Sequence, residues 1–140
     1  MGTCIRQGAK SVTQLEMMPE PPIDRQDNNP WPEWPKVLKT DYGQEEAITV
    51  FGHDPREYET TVSEIITKKG KLSGIKTINV RSENRQMIPV PDSEKVLKCD
   101  LVIVAAGFVG CENYVSDAWG VKLTNRNTVA TDDKHYTTNL

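Results

Sequence analysis

Few side chains in this sequence are spaced for chemistry, and those that are suit holding a ligand better than breaking a bond. The first candidate is the end of an apolar run: Leu101–Ala106 stops on Ala105, Ala106 and Gly107. In α/β folds, ligands bind beyond the carboxyl ends of parallel strands. Small residues at such an end let a flat ring or a pyrophosphate approach the backbone. The same residues equally fit a core strand that simply ends in a tight turn.

The second candidate is Glu16, at the end of a predicted strand. An acidic side chain in that position of a dinucleotide fold accepts hydrogen bonds from the adenosine ribose hydroxyls. It would repel the 2′-phosphate of NADP unless a cation offset it, and Arg25 lies a few residues on. Taken alone, the pair reads more simply as an exposed strand carboxylate and a loop arginine. Glu16 leans towards NADH and Arg25 towards NADPH, so the coenzyme stays open between the two.

Other reactive types lack partners. His53 and His135 fall in a turn and a terminal segment. Asp132-Asp133 is half of a carboxylate cluster, without companions at metal-ligand spacing. No nucleophile–base arrangement is visible, so catalytic residues and metal ligands are expected to be absent. Cys4, Cys99 and Cys111 are odd in number, far apart and free of any Cys-x-x-Cys pair. Buried or spectator thiols are expected rather than a disulfide, zinc or iron–sulfur site.

The elements that must position these residues follow from pattern. Gly2–Gly8 reads as the last turns of a helix, with Gly8 as the stop. Ala9–Met18 follows as a strand, ended by Pro19. Helix, glycine and strand make the second half of a βαβ unit, so the strand belonging to its first half is expected to precede Met1. Six of the nine prolines fall between Pro19 and Pro35, with Trp31 and Trp34 among them. That density forbids regular structure, and two tryptophans predict an ordered excursion packed on a neighbouring surface.

Tyr42–Gly52 predicts a helix, with Ala47, Ile48 and Phe51 on one face. Tyr58–Thr67 and Leu72–Arg81 predict a hairpin across Lys69-Gly70-Lys71. Gln86–Val90 and Val96–Lys98 predict further short antiparallel strands. Leu101–Ala106, apolar without alternation, predicts a strand covered on both faces. Glu112–Trp119 predicts a short helix closed by Gly120, and Val121–Leu123 with Thr128–Ala130 a second hairpin.

Composition bounds the rest. The chain has 140 residues, room for one domain, with 36% hydrophobic and 26% charged residues and a net charge of −3. An acidic balance with scattered lysines and arginines argues against a general nucleic-acid binder. No stretch approaches the roughly 18–20 apolar residues that span a bilayer. There is no signal-peptide core either, so the cytoplasm is the default compartment.

Longer strings carry a resemblance. Gly2–Ser11 and Gln14–Pro19 look like the small, flavin-containing subunit of glutamate synthase. The likeness becomes specific at Asn29–Pro35 (Asn-Pro-Trp-Pro-Glu-Trp-Pro), Thr40–Ala47 and Phe51–Arg56, and runs on through Asp100–Phe108 to Gly120-Val121. The resemblance implies an α/β fold: part of a Rossmann-like NAD(P)H-binding domain, with an inserted Pro/Trp-rich excursion and a small antiparallel sheet. Residues 1–140 would be the later part of that domain. Residues 18–90 would be a family-specific insertion and meander, and 99–140 the return towards an FAD domain.

It further implies Glu16, Arg25, Ala105, Ala106, Gly107 and Phe108 as coenzyme-binding residues, the last four forming a second nucleotide-contacting turn. In the family, hydride passes from NAD(P)H to FAD. Electrons then pass through iron–sulfur clusters to the large subunit, which makes glutamate from glutamine and 2-oxoglutarate. The family's glycine-rich phosphate loop, its flavin fingerprint and its cluster cysteines are not found here. The isolated chain is therefore expected to be inactive, with apolar surface that favours self-association. The rival expectation is a stand-alone interaction module that docks through the Trp31/Trp34 segment.

Overall fold

The computed structural model describes every residue except 85, 133 and 134. Asp133 of the Asp132-Asp133 pair thus lies outside the described residues. The chain divides into two compact units, Met1–Leu101 and Val102–Leu140.

The first unit opens with a short helix, α1 (Gly2–Arg6). Gly8 ends it at a φ of 87°. Ala9 N–H returns to Cys4 O at 3.0 Å and Gly8 N–H to Ile5 O at 2.9 Å. This double return is the left-handed stop that Gly8 predicts, and it satisfies carbonyls the helix end would leave bare.

Strand β1 (Gln14–Leu15) is shorter than the predicted Ala9–Met18. It pairs in parallel with β2 (Arg56–Glu57). The helix between them, α2 (Tyr42–Phe51), supplies the crossover that a parallel pair requires. A capping box fixes its start, Asp41 accepting from Gly43 and Gln44 while the Gln44 side chain accepts from Asp41 N–H. Gly52 closes it at a φ of 78°. Ala47 is fully buried on the inner face, whereas Ile48 remains exposed. The two helices are tied by Arg6, which donates to both Glu46 oxygens at 3.1 and 2.7 Å. Gly2 lies so close to that pair that an added Cβ would meet Glu46 Oε2 at 2.7 Å.

The meander follows the predicted order: β3 (Thr60–Lys68), β4 (Lys71–Glu83), β5 (Gln86–Pro89) and β6 (Lys95–Leu97). Strand β4 is the spine. It pairs antiparallel with β3 along most of its length, with β6 at Ile75–Thr77 and with β5 at Val80–Glu83. Because β3 and β6 pair the same β4 residues, they flank it on opposite edges. Ile75 and Val80 are the buried aliphatics of this sheet, with Thr60 and Thr77 beside them. Thr77 stays satisfied by donating to Lys95 O.

Between β1 and α2 runs the Pro/Trp segment, which we call the strap. It is ordered, as predicted, but from within. Asn29, only 2% exposed, donates to Trp34 O at 3.0 Å and Glu33 Oε2 at 3.2 Å, and accepts from Lys36 N–H at 2.8 Å. The Trp31–Pro32 bond is cis. The tryptophans are not packed on a neighbouring surface, contrary to expectation. Trp31 is 83% exposed and Trp34 78%. Asn29 closes the turn through polar atoms and leaves the rings outside it.

In the second unit, residues 102–112 run without a ladder. Instead of the predicted two-faced strand, Ile103, Val104 and Phe108 are exposed, as is Leu101 just before them. A strand of this kind needs neighbours on both edges and layers on both faces, and the described residues provide neither. Helix α3 (Asn113–Trp119) forms as expected and ends at Gly120, φ 65°. The predicted second hairpin reduces to a single bridge, Leu123 to Val129. Asn127 joins it to the preceding segment, accepting from Cys111 N–H at 2.8 Å and donating from its side chain to Cys111 O at 3.0 Å.

Candidate functional site

One cleft, of about 390 Å³, brings together Gln14, Glu16, Lys39, Gln44, Arg56 and Tyr58. Strand β1 and its continuation supply Gln14, Glu16 and Met18, the end of the strap supplies Leu38 and Lys39, and β2 with its continuation supplies Arg56 and Tyr58. The parallel ladder sets the spacing. Gln14 N–H donates to Pro55 O at 2.7 Å and Glu16 N–H to Glu57 O at 2.9 Å, while Glu16 O accepts from Thr60 N–H at 3.0 Å. Glu16 therefore has a fixed backbone on both sides. Glu16 is half-buried, and among the described residues its carboxylate accepts one hydrogen bond, from Met18 N–H at 3.4 Å. It keeps acceptor capacity for hydroxyl donors from a ligand.

Arg56 is the residue that builds the cleft wall, and the sequence reading did not single it out. Its side chain is 6% exposed. Nε and Nη2 grip Asp54 at 2.9 and 2.6 Å, Nη1 donates to Lys39 O at 3.0 Å, and Nη2 reaches Thr40 Oγ1 at 3.1 Å. One guanidinium thus fastens the end of the strap to the turn before β2. The hydrogen bond with Asp54 raises the arginine's pKa and holds the Asp54 carboxyl below its ordinary range. Burial pushes the Tyr58 phenol up, so it stays neutral and able to donate. The Asp54-Pro55-Arg56 turn was the available signal, an acid two residues before a base across a proline.

The sequence-predicted residues fall in different places. Glu16 lines the cleft, but Arg25 does not. Arg25 Nη1 donates to Asn29 O at 2.9 Å and to Glu33 O at 3.0 Å, within the strap. Ala105, Ala106, Gly107 and Phe108 belong to the second unit, where all four are exposed. Gly107 has a φ of 85°, a conformation that favours glycine. Apart from its own chain neighbours, no heavy atom among the described residues lies within 4 Å of where its Cβ would be.

His53 Nδ1 faces Phe51 O at 3.1 Å, and His135 pairs with Asp132. Among the described residues no three His, Cys, Asp or Glu side chains converge on a point where a metal could sit. No helix there is long and apolar enough to cross a membrane. The cleft offers a carboxylate acceptor, a neutral phenol and a lysine, which suits binding a hydroxylated ligand.

Comparison with known proteins agrees with the resemblance in the sequence. The chain is 40% identical over 143 residues to glutamate synthase [NADH] of Saccharomyces cerevisiae, covering 97% of this chain and 7% of that protein. It is 37% identical over 146 residues to the glutamate synthase [NADPH] small chain of Bacillus subtilis, covering 100% of this chain and 29% of that one. The chain therefore spans less than a third of the small chain it matches. Among solved structures, thioredoxin reductase of T. acidophilum matches with a TM-score of 0.60 at 20% identity, over 99% of this chain and 36% of that one. The chain shares its fold with that part of the reductase. No family model matches.

Proposed function

Because the chain is homologous to one segment of the glutamate synthase small chain, we propose that it forms the later part of an NAD(P)H-binding domain in an oxidoreductase of that kind. The observation that carries this reading is the position of Glu16, at the carboxyl end of a parallel strand and in the wall of a cleft. A carboxylate there accepts hydrogen bonds from ribose hydroxyls. Tyr58 offers a ring and a neutral hydroxyl on the facing side.

NAD(P)H and the residues present fit in part. Glu16 would hold the adenosine ribose. The pyrophosphate has no cradle among the described residues, since the backbone amides that bind it come from a glycine-rich loop at a helix N-terminus. The coenzyme, when bound, supplies a hydride. This chain's residues bind and orient it and take no part in bond making. In the whole protein the hydride would pass to FAD, and electrons would go on through iron–sulfur clusters to a large subunit that makes glutamate from glutamine and 2-oxoglutarate.

The 140-residue chain is expected to show no NAD(P)H oxidation with an artificial electron acceptor. A version extended at its N-terminus by a strand and a glycine-rich phosphate loop should bind the coenzyme in a titration where the unextended chain binds weakly or not at all. Robust turnover by the unextended chain would overturn the proposal.

One observation favours a second reading: Trp31 and Trp34 are exposed on a strap that is otherwise internally fixed. A stand-alone module docking a partner through these rings would use them so. Such a module would keep partner binding after Glu16→Ala and lose it after Trp31→Ala with Trp34→Ala.

A further inference from the structure

The three charged side chains of the Glu16 cleft are not equivalent. Arg56 is spent: Asp54, Thr40 and the Lys39 carbonyl engage all three of its nitrogens. Glu16 keeps its negative charge towards the cleft. Among the described residues no ion pair or hydrogen bond engages the Lys39 ammonium, which rests 4.1 Å above the centre of the Trp34 ring. Trp34 is itself 78% exposed, so this contact is solvated and reversible. A phosphate would win the ammonium from the indole, because a charge-assisted hydrogen bond is the stronger contact. Arg25 is poorly placed for the same task, lying outside the cleft lining with Nη1 engaged by two strap carbonyls.

We propose that Lys39, parked on Trp34, decides how well the cleft tolerates a 2′-phosphate, and so sets the preference between NADPH and NADH. The inference rests on the reading of the cleft as a nucleotide site. Glu16 alone would accept the free ribose hydroxyls of NADH and repel the added phosphate of NADPH. Lys39 swings on a flexible stem from the indole to the phosphate and offsets that repulsion. Trp34 thereby acquires a purpose within this chain, as the rest for a mobile cation. The matching proteins bear both coenzyme names, NADH and NADPH, so the choice varies among them.

The test is an NMR titration of the chain extended at its N-terminus by a strand and a glycine-rich phosphate loop, with two probes, 5′-AMP and adenosine 2′,5′-bisphosphate. Wild type should bind the bisphosphate more tightly. Lys39→Gln should weaken bisphosphate binding about tenfold and leave 5′-AMP within about twofold. Lys36→Gln is the control, since Lys36 pairs with Glu33 at 3.7 Å and does not line the cleft; it should change neither. Unchanged signals from the β3–β4 hairpin would show that each variant is folded. If Lys39→Gln affects both probes equally or neither, Lys39 does not select and the proposal falls while the nucleotide site stands. If neither probe shifts the cleft signals of the wild type, the nucleotide site itself fails and the proposal with it.

Discussion

At the scale of single residues, the cleft depends on one enclosed cation in its wall. Arg56 is almost fully enclosed and ties the end of the strap to the turn before β2, so its partner Asp54 should matter more than a surface ion pair does. Asp54 carries a carboxyl whose pKa folding lowers, chiefly through the hydrogen bond from Arg56. A depressed carboxyl contributes stability that is present above its unfolded value, near 4, and is lost as pH falls through the folded value. Asp54→Asn should therefore destabilise the chain by about 1–2 kcal/mol at pH 7. The gap from wild type should close in acid, as pH falls through the lowered Asp54 value. Denaturant unfolding at several pH values would show it, and a gap independent of pH would contradict this role. The place of Glu16 at a strand end was legible in the sequence. Arg56 was not, because nothing in Asp54-Pro55-Arg56 says that the guanidinium turns inward to meet Lys39 and Thr40 across 16 and 17 residues of chain.

Among the elements, those with local signals formed where the sequence placed them. The Asp41/Gln44 box with Gly52 bounds α2, Gly120 closes α3, and the Lys69-Gly70 tip turns β3 into β4. Elements that depend on distant partners did not follow the pattern. Leu101–Ala106 has the composition of a buried strand, yet composition cannot supply the neighbours that would pair with it. The strap shows a third case: its order was expected from the tryptophans, but the agent is Asn29, an ordinary loop residue in the sequence. Close approach is equally invisible in sequence. Gly74 on β4 lies so near β6 that a Cβ would meet Leu97 O at 2.7 Å. Gly74→Ala should push β6 off the sheet at a cost of about 1–3 kcal/mol. Amide exchange at Lys95–Leu97 should quicken, while exchange near the Lys68–Lys71 end of the hairpin stays as it was. Unchanged protection of β6 would refute the contact.

For the whole molecule, the buried apolar residues are few. Ala47, Ile75 and Val80 are the buried hydrophobics among the described residues, while Val104, Phe108 and both strap tryptophans face solvent. So much exposed apolar surface marks places where other chain or another molecule packs. The longer proteins that the chain resembles have the residues to do so, since this chain spans 29% of the Bacillus subtilis small chain. The proposed function turns on whether a nucleotide binds at the Glu16 cleft. The most direct measurement is hydrogen–deuterium exchange of the N-terminally extended chain with and without NADH. The account predicts slowed exchange at residues 14–18, 37–39 and 56–58, the three stretches that line the cleft. Tight binding with protection confined to the meander or to Trp31–Trp34 would contradict it.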